Sequence, residues 1–261
     1  MFYLTILMSE RVGFVIILAF LLVNVPAFRR LLSSDRWIDK CQLAIIFAIF
    51  AILANSTGIE IDPANQLHDK VFLTTISKNY SIVNARILAV SVAGIIGGPW
   101  VGGAVGLIAG LHRIMLGGMA AQAWFYVPSS ILIGLLSGHL YNDRRNPFAV
   151  MSPWHGFLVG LLMETIQMAF IFLFSPTGWT LVRYIALPMI LVNSIGTSIF
   201  LSIIGMFRRQ EEETRAMQTH SVLSLTKETL PHLRNGLNMQ SARQVAKADR
   251  KSTRLNSSHQ L

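Results

Sequence analysis

A few side chains in this sequence sit where polar chemistry is costly, inside or at the ends of long apolar runs. Asn84 and Arg86 open one run, His112 and Arg113 close the next, and Glu164 and Gln167 lie one helical turn apart within a third. Asn193 lies in the last run, five residues beyond Pro188, with Arg183 at its start. An ionisable group at bilayer depth costs roughly 2.5–3.5 kcal/mol on insertion scales, so it normally faces the protein interior and a partner. Two arginines at the ends of neighbouring helices can grip a carboxylate with paired hydrogen bonds. The competing role for Arg86, Arg113 and Arg183 is snorkelling to lipid headgroups. Glu164 is too deep to snorkel, which leaves it neutral, paired with Arg or Asn, or beside water. His112 has no second His or Cys at ligand spacing, so no metal site is expected and it reads as a hydrogen-bonded helix end. Glu10 and Arg11 mark the outer start of the first helix.

The elements that carry these residues are set by composition. The chain has 261 residues, 52% hydrophobic and only 13% charged, with mean hydropathy +0.52. Roughly a quarter of residues are charged in a soluble domain, so a soluble globular fold is excluded. Uncharged runs cover residues 12–28, 41–59, 87–111, 114–142 and 184–207, and 151–182 is interrupted only by Glu164. About 20 residues of helix cross the hydrocarbon core, so these are membrane spans. The predicted fold is an all-α polytopic helical bundle of six to seven membrane helices followed by a short cytoplasmic helical connector. The first run lacks a basic start and a small-residue cleavage site and reads as a retained helix. The single cysteine, Cys41, cannot form an internal disulfide.

Charge sets the orientation. Of the 22 Lys and Arg, ten follow Phe207, and Arg29, Arg30, Arg36 and Lys40 lie between the first two runs, which is the pattern of cytoplasmic loops and not of a nucleic-acid groove. With the 29–40 loop inside, the N-terminus and the polar stretch 60–81 are outside. A break at Gly97-Gly98-Pro99-Trp100 divides the next stretch in two, because proline removes a backbone donor and glycine eases a turn. That division also places Arg144, Arg145 and the basic C-terminal region inside. Seven crossings follow, the third and fourth short. Gly98, Gly102, Gly106 and Gly110 recur every four residues, and Gly134/Gly138 and Gly156/Gly160 repeat the spacing, which lets helix backbones approach closely or slide. Pro128 and Pro188 predict kinks.

These residues in this order resemble a known family. Asn84-Ala-Arg86, Gly94, Gly97-Gly98-Pro99-Trp100-Val101-Gly102, Gly106-x3-Gly110-x-His112-Arg113 and Gly117-Gly118 are similar to the membrane receptor region of LytS-type sensor histidine kinases. Glu164-x2-Gln167-Met168 and Pro188-Met189-x3-Asn193-x2-Gly196 fit the same pattern. The resemblance runs from the N-terminus to about Ala246. It implies a two-component sensor with a membrane receptor, a GAF-like domain and a kinase that phosphorylates a LytR-type response regulator. It also implies a homodimer in the bacterial plasma membrane, control of cell-wall and autolysis genes, and a response to pyruvate or membrane potential. On this resemblance residues 1–28 form the first transmembrane helix and 41–207 the receptor domain. Residues 208–247 would be the connector and the start of a GAF-like domain. Residues 248–261 have no apolar periodicity and read as a non-native tail.

The family's kinase chemistry is not expected from this stretch. His220 and His232 lack the His-Phe-x-Phe-Asn context, and no nucleotide-binding motif follows, so no cofactor is expected here and ATP belongs to a kinase domain elsewhere. Leu223, Leu230 and Leu237 are seven apart, which fits a dimerising helix or a solvated one, with Pro231 interrupting. The partners expected are the lipid bilayer and a small anion held by Asn84, Arg86, His112, Arg113, Glu164, Gln167 and Asn193, with no nucleic acid. The competing class is a small-molecule transporter or a transporter's substrate-binding subunit, because the glycine-rich segment is loosely similar to vitamin-transporter subunits. A purely structural membrane protein is the third reading.

Overall fold

A computed structural model describes residues 2–62, 64–77, 80–117, 124–140 and 152–234. The chain divides into two units, Met1–Gly205 and Met206–Leu261. In the first, α1 (Phe2–Val23) leads through the short α2 (Pro26–Leu32) to α3 (Trp37–Ser56). Three short strands follow, β1 (Ile59–Ile61), β2 (Leu67–His68) and β3 (Ser81–Val83), then α4 (Arg86–Gly97), α5 (Pro99–Leu116), α6 (Tyr126–Leu140), α7 (Pro153–Phe174) and α8 (Gly178–Arg234). Of these, α1, α3, α5, α7 and α8 are long and apolar enough to cross a membrane, while α4 and α6 are shorter apolar helices. The chain is therefore a multi-pass helical membrane protein. The short members of the set are its third and fifth apolar helices, not the third and fourth.

Several boundaries differ from the sequence expectation. Helix α1 starts at Phe2, so Glu10 and Arg11 lie well inside it, and Arg11 reaches Asp69 at 2.5 Å. It ends at Val23, and Phe28 belongs to α2, whose first residue is Pro26, the proline-tolerant N1 position. Pro128 likewise falls in the first turn of α6 and kinks nothing. The stretch read as a polar loop holds a small antiparallel sheet in the order β2-β1-β3, with Glu60 opposite both His68 and Ile82. Strands of two and three residues are too short to show a period. The loop carrying Arg144 and Arg145, and the tail 248–261, lie outside the described residues.

The break at glycine and proline is present. Gly98 has φ +89°, a left-handed conformation that glycine tolerates, and Pro99 opens α5. Gly98 is thus the turn itself and not part of the packing stripe, since a Cβ there would meet nothing within 4 Å. Gly102, Gly106 and Gly110 do form a stripe against α6: a methyl on Gly102 would overlap the carbonyl of Gly134, one on Gly106 the carbonyl of Ser130, and one on Gly110 would lie 2.7 Å from the Val127 Cα. A methyl on Gly94 of α4 would come within 2.6 Å of the Gly134 carbonyl. Helices α4, α5 and α6 therefore meet backbone to backbone, as expected where helices associate by packing rather than by the hydrophobic effect. A second seam joins α7 and α8, where methyls on Gly156 and Gly160 would lie 2.9 Å and 2.7 Å from the Cα atoms of Ser198 and Ser194.

These contacts fix alternating directions. Gly138 abuts Pro99 while Gly110 abuts Val127, so α5 and α6 are antiparallel; the α7–α8 pairs give the same result. The sheet, the N-terminus of α4 and the C-termini of α3, α5 and α7 share one end, and α2 and the Gly98 turn lie at the other. All five tryptophans are exposed and stand at or just ahead of helix starts: Trp37, Trp100 and Trp154 at the Gly98 end, Trp124 and Trp179 at the sheet end. Indoles at two levels on a lipid-facing surface are the aromatic belts of a membrane protein.

In the second unit the chain from Met206 to Arg234 is helical, continuing through Pro231, and Met217 and Leu223 are exposed. Leu237 and the residues after it lie outside the described residues.

Candidate functional site

Helix α4 is only 12 residues, about 18 Å of rise, and so begins well inside the bundle. The chain reaches it from β3 through non-helical backbone: Ile82, Val83, Asn84 and Ala85 are all buried, and Ala85 turns the chain into the helix at φ −92°, ψ 19°. Irregular backbone at membrane depth is tolerated only where protein satisfies its polar groups, and here amides do so. Asn84 accepts from the Arg86 N–H at 3.3 Å through Oδ1 and donates through Nδ2 to Asn55 Oδ1 at 2.8 Å. The Asn84 carbonyl accepts from Asn193 Nδ2 at 3.3 Å. Asn55, at the end of α3, in turn donates to the Ala109 carbonyl at 2.9 Å and contacts His112 Nδ1 at 3.3 Å. His112 is half-buried, and no metal-binding cluster occurs among the described residues. Four helices are thus tied to one stretch of broken backbone.

Above this network the arginines converge. Arg86 is 2% and Arg113 4% exposed, which removes the snorkelling alternative for both, whereas Arg183 is exposed and retains it. Both guanidiniums stand over the ring of Tyr126, their Cζ atoms 5.1 Å and 4.7 Å from its centroid. The ring's negative face offsets part of the repulsion between two cations. Arg86 Nη1 donates to Ser130 Oγ and to the Tyr126 carbonyl at 3.4 Å, and Nη2 donates to Gln167 Oε1 at 3.1 Å. The Arg113 side chain has no hydrogen-bond or ion-pair partner among the described residues, while its carbonyl accepts from the Gly117 N–H at 3.1 Å. Glu164 forms no ion pair with either arginine; its Oε2 accepts from Asn193 Nδ2 at 3.1 Å. Arg86 Nε, Gln167 Nε2, Glu164 Oε1 and Asn193 Oδ1 are buried without partners.

The seven predicted site residues therefore come together near the α4 N-terminus, in two roles. Asn84, Asn193 and His112 belong to the amide network that holds the broken backbone. Arg86, Arg113 and Gln167 line a buried positive centre, and Glu164 links α7 to α8 beside it. Sequence reasoning missed Asn55, Tyr126, Ser129 and Ser130. Asn55 and the serines look like helix-end residues in sequence. Tyr126 carried one usable signal, since a tyrosine in the middle of an apolar run needs a partner for its hydroxyl. A lid of sorts covers this end: the Ile76 N–H donates to the Leu116 carbonyl at 2.8 Å, and Leu73, Ile76, Ile82 and Leu116 pack together with Tyr80. Buried Glu60 pairs with Lys70 at 2.9 Å.

Residues 25–206 match the family described as 5TMR of 5TMR-LYT. The chain is 50% identical over 267 residues to the sensor protein LytS of Enterococcus faecalis, covering 99% of this chain and 45% of that protein. It is 45% identical over 250 residues to the sensor protein LytS of Staphylococcus epidermidis, covering 94% and 42%. It is 44% identical over 252 residues to the sensor histidine kinase/phosphatase LytS of Staphylococcus aureus, with the same coverage. The chain thus spans less than half the length of these relatives. No solved structure matches it.

Proposed function

The chain belongs to the 5TMR-LYT receptor family, and from that premise we propose that it is the membrane sensory region of a LytS-like two-component sensor histidine kinase that detects a small external carboxylate such as pyruvate. One observation carries the ligand class: Arg86 and Arg113, both buried, share one aromatic ring, and neither has a carboxylate within ion-pair reach among the described residues. Two desolvated cations have one buried carboxylate near them, Glu164, which forms an ion pair with neither, and a small anion would complete their neutralisation. Arginine suits the task because its planar fork grips a carboxylate with two parallel bonds. The basic 29–40 segment lies at the end opposite the sheet, which supports an outward-facing site, an external N-terminus and a cytoplasmic α8 C-terminus. A kinase domain, its ATP, a homodimer and a LytR-type response regulator would complete the pathway to cell-wall genes. A change in membrane potential could act on the same buried charges.

Signal transfer requires that the anion bind two conformations unequally, since a ligand shifts an equilibrium only by its difference in affinity. The test is a reporter response in cells carrying the full-length sensor. Arg86→Ala and Arg113→Ala should each abolish induction by pyruvate while leaving the protein at normal abundance in the membrane. Normal induction in both variants would remove the arginines from the mechanism. A transport reading draws on the buried broken backbone before α4, a feature transporters share at their substrate sites. Reconstituted vesicles separate the two, since a receptor binds labelled pyruvate without accumulating it.

A further inference from the structure

The Arg86 guanidinium is not free in this structure. A carboxylate grips arginine best along the edge bearing Nε and Nη2. On Arg86, Nε has no partner, and Nη2 is held by Gln167 Oε1 at 3.1 Å. The same oxygen accepts from Ser129 Oγ at 3.1 Å, so the amide of α7 is docked onto α4 and α6 through its oxygen alone, its nitrogen being buried without a partner. An amide oxygen is a weak mimic of a carboxylate oxygen: similar in shape and hydrogen bonding, but without the charge that makes such bonds roughly twice as strong.

Resting on the carboxylate-site reading above, we propose that Gln167 is a built-in competitor for Arg86, occupying part of the guanidinium edge and giving it up to an incoming carboxylate. Displacement frees the contact between α7 and the α4–α6 pair. One turn away on the same helix Glu164 is bonded to Asn193 of α8, and the Gly156 and Gly160 seams hold α7 against the α8 main chain. Release at Gln167 is therefore felt by α7 and α8 together. The device also filters ligands, since a neutral isostere with no charge gains nothing over the amide it must displace.

The test uses the present chain in lipid nanodiscs, titrated with acetate, pyruvate and lactate by calorimetry. Gln167→Met keeps the volume and removes the oxygen, so Arg86 Nη2 loses its acceptor while Nη1 keeps its own, and anion binding should tighten about tenfold. Gln167→Glu supplies a permanent carboxylate and should weaken binding about tenfold or more. A merely structural glutamine would weaken binding in both variants, so shifts of opposite sign support the proposal and shifts of the same sign, or none, overturn it. Arg86→Gln separates the two claims: if it abolishes wild-type binding while both Gln167 variants leave it unchanged, the carboxylate site stands and the competitor falls. If the wild type binds none of the three acids, both fall. A second readout covers a variant that does not fold. With Cys41→Ser as background, spin labels at Leu135→Cys on α6 and Leu158→Cys on α7 should separate further on adding pyruvate, and should already be separated in Gln167→Met. An unchanged distance in both overturns the release step.

Discussion

The seam among α4, α5 and α6 and the seam between that trio and α7–α8 are built from opposite materials. The first is glycine against backbone along most of its length, its polar contacts confined to Arg86 with Ser130 and the Tyr126 carbonyl at one end. The second is amide, hydroxyl and guanidinium, with Gln167 meeting Arg86 and Ser129, and Asn193 meeting the Asn84 carbonyl. A dry close-packed seam has one arrangement, while a polar seam with unpartnered donors and acceptors can trade partners at little cost. On the displacement proposed above, the trio is the platform and the α7–α8 pair the part that moves against it.

The largest effect that tests this contrast comes from adding one methyl to the dry seam. Gly134→Ala would press a Cβ into the carbonyl of Gly102 and should cost at least about 2 kcal/mol, read as a fall in the melting temperature of the detergent-purified chain. Gly13→Ala on α1, where a Cβ meets nothing within 4 Å, should leave it unchanged or raise it by up to about 1 kcal/mol. Equal losses from the two would mean that glycine matters for helix flexibility and not for close approach. Next in size, Asn193→Leu strips the Asn84 carbonyl and Glu164 Oε2 of their common donor and should cost about 1–3 kcal/mol on the same melt. An unchanged melt would show that water replaces the amide and that the polar seam is wet.

The smallest effect lies outside both seams, where solvent competes. The Asp62 carboxylate accepts from the Gln66 and Ala64 N–H groups at 2.8 Å and 2.9 Å and faces His68 at 3.3 Å. The Gln66 bond, with the others, holds its pKa below the ordinary 3.8. A depressed carboxylate stabilises the turn above its unfolded pKa and loses that contribution as pH falls through the lower folded value. Amide exchange at Ala64 and Gln66 should therefore be flat from pH 8 to 5, after correction for intrinsic rates, and rise only below about pH 4. A rise already under way above pH 5 would mean that the Asp62 carboxylate is not what holds the turn.

Local chemistry was legible in the sequence wherever it acts within a few residues. Gly98-Pro99 announces a helix break because both residues constrain their own backbone, and the spacing of Gly102, Gly106 and Gly110 reveals a face. Which face it meets is a tertiary fact, and Gly98, in step with the stripe, proved to be the turn instead. The polar residues were recognisable because each is costly alone at membrane depth. Their division of labour was not, because it depends on partners such as Asn193 for Asn84, 109 positions apart. Asn55 escaped notice because an amide at the end of an apolar run resembles an ordinary helix terminus. The strands escaped because two or three residues carry no alternation. Arg86 and Arg113 could be paired from their places at the ends of neighbouring runs, but that both guanidiniums stand over the Tyr126 ring is a tertiary fact that spacing does not carry.

The placement of the tryptophans has a spectroscopic consequence. With all five indoles at the two lipid boundaries, tryptophan emission from this chain reports chiefly the bilayer around it, while Trp124, packed on Phe174 of α7, also senses the contact between α6 and α7. Brominated lipids with the bromine at graded depths should quench that emission in two bands, matching the Trp37–Trp100–Trp154 and Trp124–Trp179 levels, and the spacing of the bands gives the hydrophobic thickness the protein prefers without any label.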